Sequence, residues 1–439
     1  MTRLLLVARL AVVPAGPLPV PDAPFLRPTI GEMAALPALP APVLNAALGA
    51  PVAAALLPSA RLRGMAADQA RVRGAGAVGL ANEIAAKLDA PTDEASLKSW
   101  LEKTHAALLR DRPDLFALKM RKAAESDLAF NRAFPQLFYR LLSQSKDATR
   151  LADTPKLRLA GDLHAQNVEI VSYKGGAVPQ VNDFDDTAKA PAGLETARAF
   201  VSAAILGRTA AEAGRLFATA REAYLRALGM GFKEWAADVS REEAVADAQP
   251  KKKHWRRDAG PKLSETEAAR ARELAGLGEK WEAHHREGAG LSSIGVRRTL
   301  LVREGRDEAW ELKELREQSA LSAFPGAPDS TPVVKRMAQA YEELRKVPVT
   351  ARTASSAGAA WLVRERQGKE TVLDLKDGDS AARVLGGLAA QLQRGQVADA
   401  GPLSSVADAL SPETASGLVL RIKKLRVALV GLVEDGTWR

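Results

Sequence analysis

Three side chains in the middle of this sequence have the types and spacing to hold a phosphate chain and a hydroxyl together. Asp162 and Asn167 stand five positions apart in GDLHAQN, and Asp183 follows in VNDFDD, with Asp185 two residues on. A hydroxyl acceptor needs a proton acceptor beside it, which Asp162 supplies. A hard divalent cation needs oxygen ligands, which Asn167 and Asp183 supply, with Asp185 as a further carboxylate. Any one of these residues is common in turns, because Asp and Asn bond their own backbone. The combination carries the signal: an apolar lead-in, the GDxHxxN spacing, a short strand and a second acidic cluster. His164 reads as a hydrogen-bonded structural residue of the same loop.

A second constellation lies more than a hundred residues later, in GLSSIGVRRTLLVREGRDEAWELKEL. Gly290, Ser292, Ser293 and Gly295 form a turn in which backbone amides can approach phosphate closely. Lys313 follows Gly295 by 18 residues on the second arm of an expected hairpin, placed to neutralise phosphate charge. Glu342 or Glu343, on a later helix, is a candidate partner for Lys313, and a solvated surface residue is an equal reading. Arg132 contacts an acceptor or pairs with a carboxylate; the second reading is favoured.

These groups need elements to hold them. KLRLAGD and AVPQVNDFDD read as two short strands, each running into acidic residues. Before them, PTDEASLKSWLEKTHAALL begins with a cap at Thr92 or Asp93, and Lys119 to Gln144 reads as one or two amphipathic helices. After them, residues through Gly229 are helical, 236–262 read as a polar loop, and SETEAARARELAGLGEKWEAHH reads as a helix opened by a capping box of Ser264 and Glu267. VRRTLLV and EAWELKEL read as a hairpin, and WLVRER and TVLDL as further strands. Val333 to Lys346, SAARVLGGLAAQLQRG and SGLVLRIKKLRVALVGLVED are helical.

Composition narrows the chemistry. With no cysteine among 439 residues and five histidines, thiolate nucleophiles, disulfides and cysteine-ligated metals are excluded. The net charge of +9 suits an anionic partner. Part of it lies in the run Lys251 to Arg257, which reads as a solvated loop; no recognised nucleic-acid motif accompanies it. No apolar run is long enough to span a membrane. Residues 1–60 hold eleven of the 25 prolines and read as an irregular extension. Their opening, MTRLLLVARLAVVPAG, has a basic start and a short apolar run like a signal peptide, but Arg9 interrupts it, and a cytoplasmic protein is expected.

The motifs, in order, resemble the uncharacterised bacterial family called domain of unknown function 2252, from about residue 119 to 394. Phe130 and Arg132 fill its early block. GDLHAQNVEI resembles its GDxHxxN block, VNDFDDT its NDFDET block, GLSSIGVRR its glycine–serine loop, LKELREQS its lysine–glutamate block and WLVRERQ its arginine-containing strand. That family is in turn similar to aminoglycoside phosphotransferases and protein-kinase-like enzymes. The resemblance implies ATP- and magnesium-dependent transfer of a phosphoryl or adenylyl group to a small-molecule or protein acceptor. Asp162 would be the catalytic residue, Asn167, Asp183 and Asp185 the magnesium ligands, and Gly290 to Gly295 with Lys313 the nucleotide-binding parts.

In ordinary kinases the glycine loop and lysine precede the catalytic loop. Here they follow it, and no strands precede residue 155, which implies an α+β, two-lobed, circularly permuted kinase-like fold. Its expected parts are an irregular extension over 1–75, a helical large lobe over 76–287, a small β-lobe over 288–376, and C-terminal helices over 377–439 that complete the large lobe. Departures from the pattern are Ala160 at the first position of the HxD triplet, Ser292 for a loop glycine, Glu195 and Thr196 for an acidic pair, and glutamines in place of a late-helix histidine. They keep open an alternative, a nucleotide-binding pseudokinase that serves as an interaction scaffold.

Overall fold

The computed structural model describes residues 84–438, except 174–175, 247–254, 256–258, 287–289, 304, 307, 328, 348–349, 357 and 367–369. The proline-rich extension and, apart from Trp255, the basic run therefore lie outside the described residues. The described residues belong to one unit that begins at Ala60.

Asp93 caps the helix α1 (Glu94–Thr104) in a reciprocal box with Ser96. The stretch expected as one or two helices is divided further, into α2 (Pro113–Ala124), α3 (Asp127–Ala133) and α4 (Pro135–Ser143). Ser126 caps α3, and Pro113 and Pro135 open their helices, where a missing N–H costs nothing. After the first strands come α5 (Ala192–Ile205) and α6 (Ala210–Leu228), capped by Thr209. Further on lie α7 (Glu265–Ala275), α8 (Val333–Glu343), α9 (Gly378–Arg394) and α10 (Pro412–Glu434). No described helix is long and apolar enough to cross a membrane.

The largest core joins the early helices to the late ones. Phe116, Phe138, Phe200, Tyr224, Leu388, Ile422 and Leu429 all belong to it. The C-terminal helices α9 and α10 thus complete a body begun by α1 to α6. Contact between α6 and α9 is close: Gly386 faces the backbone of Ala220 so tightly that a Cβ there would fall on the Ala220 carbonyl oxygen.

The described strands fall into three small antiparallel sheets. β1 (Lys156–Leu159) pairs with β4 (Ala188–Pro191). β2 (Val168–Tyr173) pairs with β3 (Gly176–Val181), and β10 (Glu370–Val372) joins them from the other side of β2. TVLDL was expected among the later strands, and it pairs with the acidic-loop sheet instead. The third sheet has the order β5-β6-β7-β9-β8, with β5 (Trp281–His285), β6 (Arg298–Arg303), β7 (Ala309–Glu314), β8 (Ala351–Ser356) and β9 (Ala359–Arg366). β6 and β7 are the expected hairpin. β5 corrects the long helix expected through His285: Gly276, at φ 61°, ends α7 in a left-handed cap, and the chain turns into a strand. The capping box of Ser264 and Glu267 is present as expected.

Side chains of this sheet alternate between two surroundings. Leu301, Leu312, Trp361 and Val363 pack against Ala268, Ala271 and Ala275 of α7. Arg298, Glu311, Lys313 and Arg364 occupy the other face and are buried as well.

Gly386→Ala tests the α6–α9 packing. Alanine gains about 1 kcal/mol of helix propensity over glycine, yet overpacking a tight contact costs about 1–3 kcal/mol. We expect a lower denaturation midpoint by chemical unfolding; a raised midpoint would show the two helices stand farther apart.

Candidate active site

Two loops leave the first two sheets side by side. The turn after β1 is possible because Gly161 has φ 83°, and because a Cβ there would fall on the carbonyl oxygen of Asp186. Tyr139 on α4 donates to the Gly161 carbonyl at 2.8 Å, and the Gly161 N–H donates to Glu195 on α5 at 3.0 Å. This short hydrogen-bonded cradle sets the position of Asp162.

Asn167 ties the two loops together. Its side-chain nitrogen donates to the carbonyls of Asp162 (3.0 Å) and Asp183 (3.1 Å), and its side-chain oxygen accepts from the Asp183 N–H at 3.0 Å. One lone pair of that oxygen is left over. Asp162 and Asp183 therefore face one cleft although twenty-one residues separate them. Arg198, wholly buried on α5, grips one oxygen of Asp162 with two N–H groups at 2.8 and 3.0 Å, and His164 lies 3.5 Å from the other. Burial pushes the Asp162 carboxyl up, but His164 and Arg198 outweigh it and hold its pKa down to about 2. Asp162 is thus ionised, well placed and weakly basic.

Lys313, on β7, meets the acidic loops from behind the cleft and does not itself line it. Its ammonium, fully buried, contacts the carboxylates of both Asp183 and Asp185. Burial alone would lift both acids. For Asp183, the charges of Lys313, Arg298 and Arg364 overturn that and hold it well below the ordinary range. For Asp185, burial and the neighbouring Asp183 charge push the carboxyl upward. One oxygen of Asp185 is buried without a hydrogen-bond partner. Asp186 is raised to about 6, chiefly by burial, and accepts from the Ala320 N–H at 2.7 Å.

The cleft between these groups has a volume of about 160 Å³, and Asp162, His164, Asn167, Asp183, Asp185, Gly290, Ser292 and Ser293 line it. Gly295 does not: it faces Leu108, with φ 92°. The loop is pinned rather than open. Lys119 of α2 donates to the Ser292 carbonyl at 3.1 Å, and Arg298 donates to the Ser293 hydroxyl at 2.7 Å. Burial, with Arg316 nearby, lowers the Lys119 ammonium to about 7. Arg132 lines the cleft and donates to the side chain of Gln166 at 3.1 Å.

Glu342 and Glu343 do not meet Lys313. Glu343 lies 3.9 Å from Arg158, and Glu342 is exposed. The acids paired with Lys313 are the two aspartates, and Glu311, buried on β7 itself, is surrounded by Arg286, Arg298, Arg364 and Arg366. Of that arginine group the sequence marks only Arg364 and Arg366, within the arginine-containing strand WLVRERQ and without a role; Arg198 and Lys119 are given none. Strand alternation was the available signal: Arg298, Glu311, Arg364 and Arg366 share the parity of Lys313 in their strands. The glutamines of the late helix serve the core: Gln393 donates to Thr196 at 2.9 Å and to the Ala192 carbonyl at 3.1 Å.

A divalent cation fits the donors present. Among the described residues no group of three or more acids and histidines is poised to hold a metal. Magnesium, however, is commonly held by one or two carboxylates, with waters and substrate phosphates completing the shell. Asp183 and Asp185, the second with a free buried oxygen, and the remaining lone pair of Asn167 supply that set.

A family profile described as an uncharacterized protein conserved in bacteria, DUF2252, matches residues 110–384, more than half of the chain. No curated protein matches, and no solved structure matches.

Glu195 generates a pH prediction. Burial raises its carboxyl from an ordinary value near 4.5 to about 7. Between those values the folded chain binds more of this proton than the unfolded chain does. Its stabilising contribution is whole below pH 4.5 and is lost as pH rises through 7. Glu195→Gln keeps an acceptor for the Gly161 N–H, so this variant should lose less Tm than the parent from pH 4.5 to 7. Identical slopes would place the proton elsewhere.

Proposed function

The chain belongs to the DUF2252 family, whose matched span takes in both acidic loops and the Lys313 strand, and we propose that it is an ATP- and magnesium-dependent phosphotransferase of kinase-like plan acting on a small-molecule or protein acceptor. The observation that carries this reading is the contact of the buried Lys313 with Asp183 and Asp185, two of the residues that line the cleft together with Asp162. A lysine and a pair of carboxylates that meet across 130 residues of sequence match the lysine and metal-binding aspartate of kinases.

The order of parts in the five-stranded sheet supports it further. Gly290 to Ser293 lie between its first and second strands, and the lysine sits on the third, as in protein kinases, where a glycine-rich loop precedes a lysine on the third strand. The helix α8 follows, but it gives Lys313 no glutamate. In this chain the aspartates take that part.

The residues have distinct tasks. Asp183, Asp185 and Asn167 would hold magnesium, which when bound neutralises and orients phosphate oxygens. Lys313, released from the aspartates by the cation's charge, would pair with the phosphates. The Gly290–Ser293 turn offers them backbone N–H groups. Asp162, with one oxygen held by Arg198, directs the other at the acceptor hydroxyl. Its low basicity suits orientation of the hydroxyl and late receipt of its proton, since a strong base is not needed when the phosphoryl bond breaks early.

A second reading is the nucleotide-binding scaffold without turnover. The grip of Arg198 on Asp162 favours it, because it withdraws one oxygen of the carboxylate from any acceptor.

ATP labelled in turn at the α- and γ-phosphates, incubated with the protein, magnesium and a metabolite and protein extract, tests the choice. We expect label in an acceptor, and a loss of about a hundredfold or more in Asp162→Asn, the usual scale for a positioned proton acceptor. Thermal stabilisation by magnesium-ATP should persist in that variant. Stabilisation without transfer would leave the scaffold; no magnesium-dependent stabilisation of the parent chain would remove both readings.

Lys313→Met gives an independent check. It removes the ammonium between two buried carboxylates, and losing one partner of a buried pair costs about 3–5 kcal/mol. Adding magnesium to this variant should recover part of the lost Tm, with the dication standing in for the ammonium. No recovery at millimolar magnesium would count against Asp183 and Asp185 as metal ligands.

A further inference from the structure

Arg132 differs from the other arginines that line the cleft. Arg286, Arg298, Arg364 and Arg366 each meet Glu311. Arg132 lines the same cleft, yet among the described residues it has no carboxylate within ion-pair distance. Its one hydrogen bond goes to the neutral side-chain oxygen of Gln166, at 3.1 Å. A guanidinium carries five N–H donors in a fixed fork. The rest of this fork has no protein partner among the described residues, so the carboxylate that the sequence favours for Arg132 is not found there.

The acids of the cleft are engaged elsewhere. Asp162 is gripped by Arg198, Asp183 and Asp185 by Lys313, and Glu311 by its four arginines. Acids and bases are balanced across the cleft as a whole, but that balance brings no acceptor to the Arg132 fork.

The fold fixes Arg132 at the Asp162 end. It stands in the last turn of α3, beside the buried Asn131. Arg198 donates to the Asn131 side chain, and to its carbonyl at 2.8 Å, with the same guanidinium that holds Asp162. The end of α3 and the Asp162 carboxylate therefore share one buried support. Gln166, in the loop that carries Asp162, steadies the tip of the side chain. Burial lowers the Arg132 guanidinium from its ordinary value, and Asp162 opposes this more than Asp183 does, as expected for a group on the acceptor side of the site.

A free arginine fork discriminates between ligands. A carboxylate or a phosphate accepts two parallel N–H bonds from it, which a hydroxyl cannot do. Every other residue lining the cleft is polar or charged, apart from Gly290, which suits a small charged acceptor.

We propose that Arg132 binds an anionic group of the acceptor, so that the acceptor is a small hydroxylated acid, either a carboxylic acid or a phosphate ester. Its hydroxyl oxygen would bond to the γ-phosphorus as the bond to the ADP oxygen breaks, and the hydroxyl proton would pass to Asp162. This rests on the phosphotransferase reading above. It adds the class of acceptor and the residue that selects it.

The test uses the full chain and two measurements. In the first, sulfate and acetate are titrated separately against thermal unfolding at constant ionic strength. Sulfate should stabilise the parent saturably if the anionic group is a phosphate, and acetate if it is a carboxylate. Arg132→Gln should weaken that binding by about tenfold or more, the scale of a hydrogen bond to a charged group, and Arg132→Lys should restore part of it. Ligand-free Tm should stay near the parent's in both variants, because only the bond to Gln166 is lost. Binding of neither anion, or binding unchanged in Arg132→Gln, overturns the proposal.

In the second, a metabolite extract is split on an anion-exchange resin, and each fraction is offered with magnesium and γ-labelled ATP. Label should enter an acceptor from the retained acids. Arg132→Gln should need more of that fraction for half-maximal rate, while its stabilisation by magnesium-ATP matches the parent's. An acceptor found in the unretained fraction overturns the proposal, as does a magnesium-ATP affinity that falls with Arg132. Arg132-dependent anion binding without transfer from either fraction keeps the anion site and removes the phosphotransferase reading. Transfer to a retained acid that is indifferent to Arg132 does the reverse.

Discussion

A buried ammonium held between two buried carboxylates is the constraint on which this structure turns. Lys313 has no exposed surface, and Asp185 has almost none. Neither charge is tolerable there alone, since an unpaired buried ion costs several kcal/mol. The contact therefore demands that β7 and the loop after β3 meet in one register. Everything around it serves that register. Asn167 locks the Asp183 backbone to the Asp162 loop, Ser319 and Ala320 hold Asp186 from the far side, and Arg316 closes on Asp185 at 3.5 Å. Lys119 and Arg298 fix the serine loop above.

Strand pairing makes the same point from the other side. Arg298 stands directly opposite Lys313 across the β6–β7 ladder, and like charges in that position repel. Asp183 offsets this by approaching both, on the ammonium and 3.7 Å from the guanidinium, with Asp185 on the ammonium and Glu311 3.5 Å from the guanidinium. On the next strand Arg364 stands opposite Glu311, an attractive pairing that anchors β9 to β7. The sheet's inner face is therefore stable only with the acidic loops in place. Sheet and loops are one electrostatic object, although they come from distant parts of the chain.

Much of this was legible in the residues. GDLHAQN and VNDFDD announced a paired acidic site, and the β6–β7 hairpin and the Ser264 capping box were readable because turn and cap chemistry is local. Non-local pairings were not. ARTASS has no apolar alternation, so β8 is a strand only because β9 gives it a partner. Residues 370–372 looked like one more strand of the late sheet, yet they bond to β2, which no local pattern specifies. The helix drawn through His285 ignored what Gly276 does at a helix end. Glu342 and Glu343 were offered to Lys313 by analogy of position, whereas α8 turns them toward Arg158 and solvent. The family resemblance extended over the matched span, and the kinase-like plan remains the proposal built on it.

The location of the ionic network argues for ligand work rather than for folding. Buried ion pairs are often no better for stability than well-packed apolar residues of similar size, which can gain 1–4 kcal/mol in their place. The helices supply an ample alternative source: a continuous apolar core runs from α1 to α10. Yet on the inner sheet face Arg298, Glu311, Lys313, Arg364 and Arg366 stand among Leu300, Val302 and Leu362, the last of which joins that core. Its opposite face, against α7, is apolar in the ordinary way. The two faces of the same strands thus differ: the one against α7 has an apolar centre with charge at its margins, and the one that meets Asp183 carries buried charge at its centre. The helices supply the apolar core, and the cleft is where the charge is gathered.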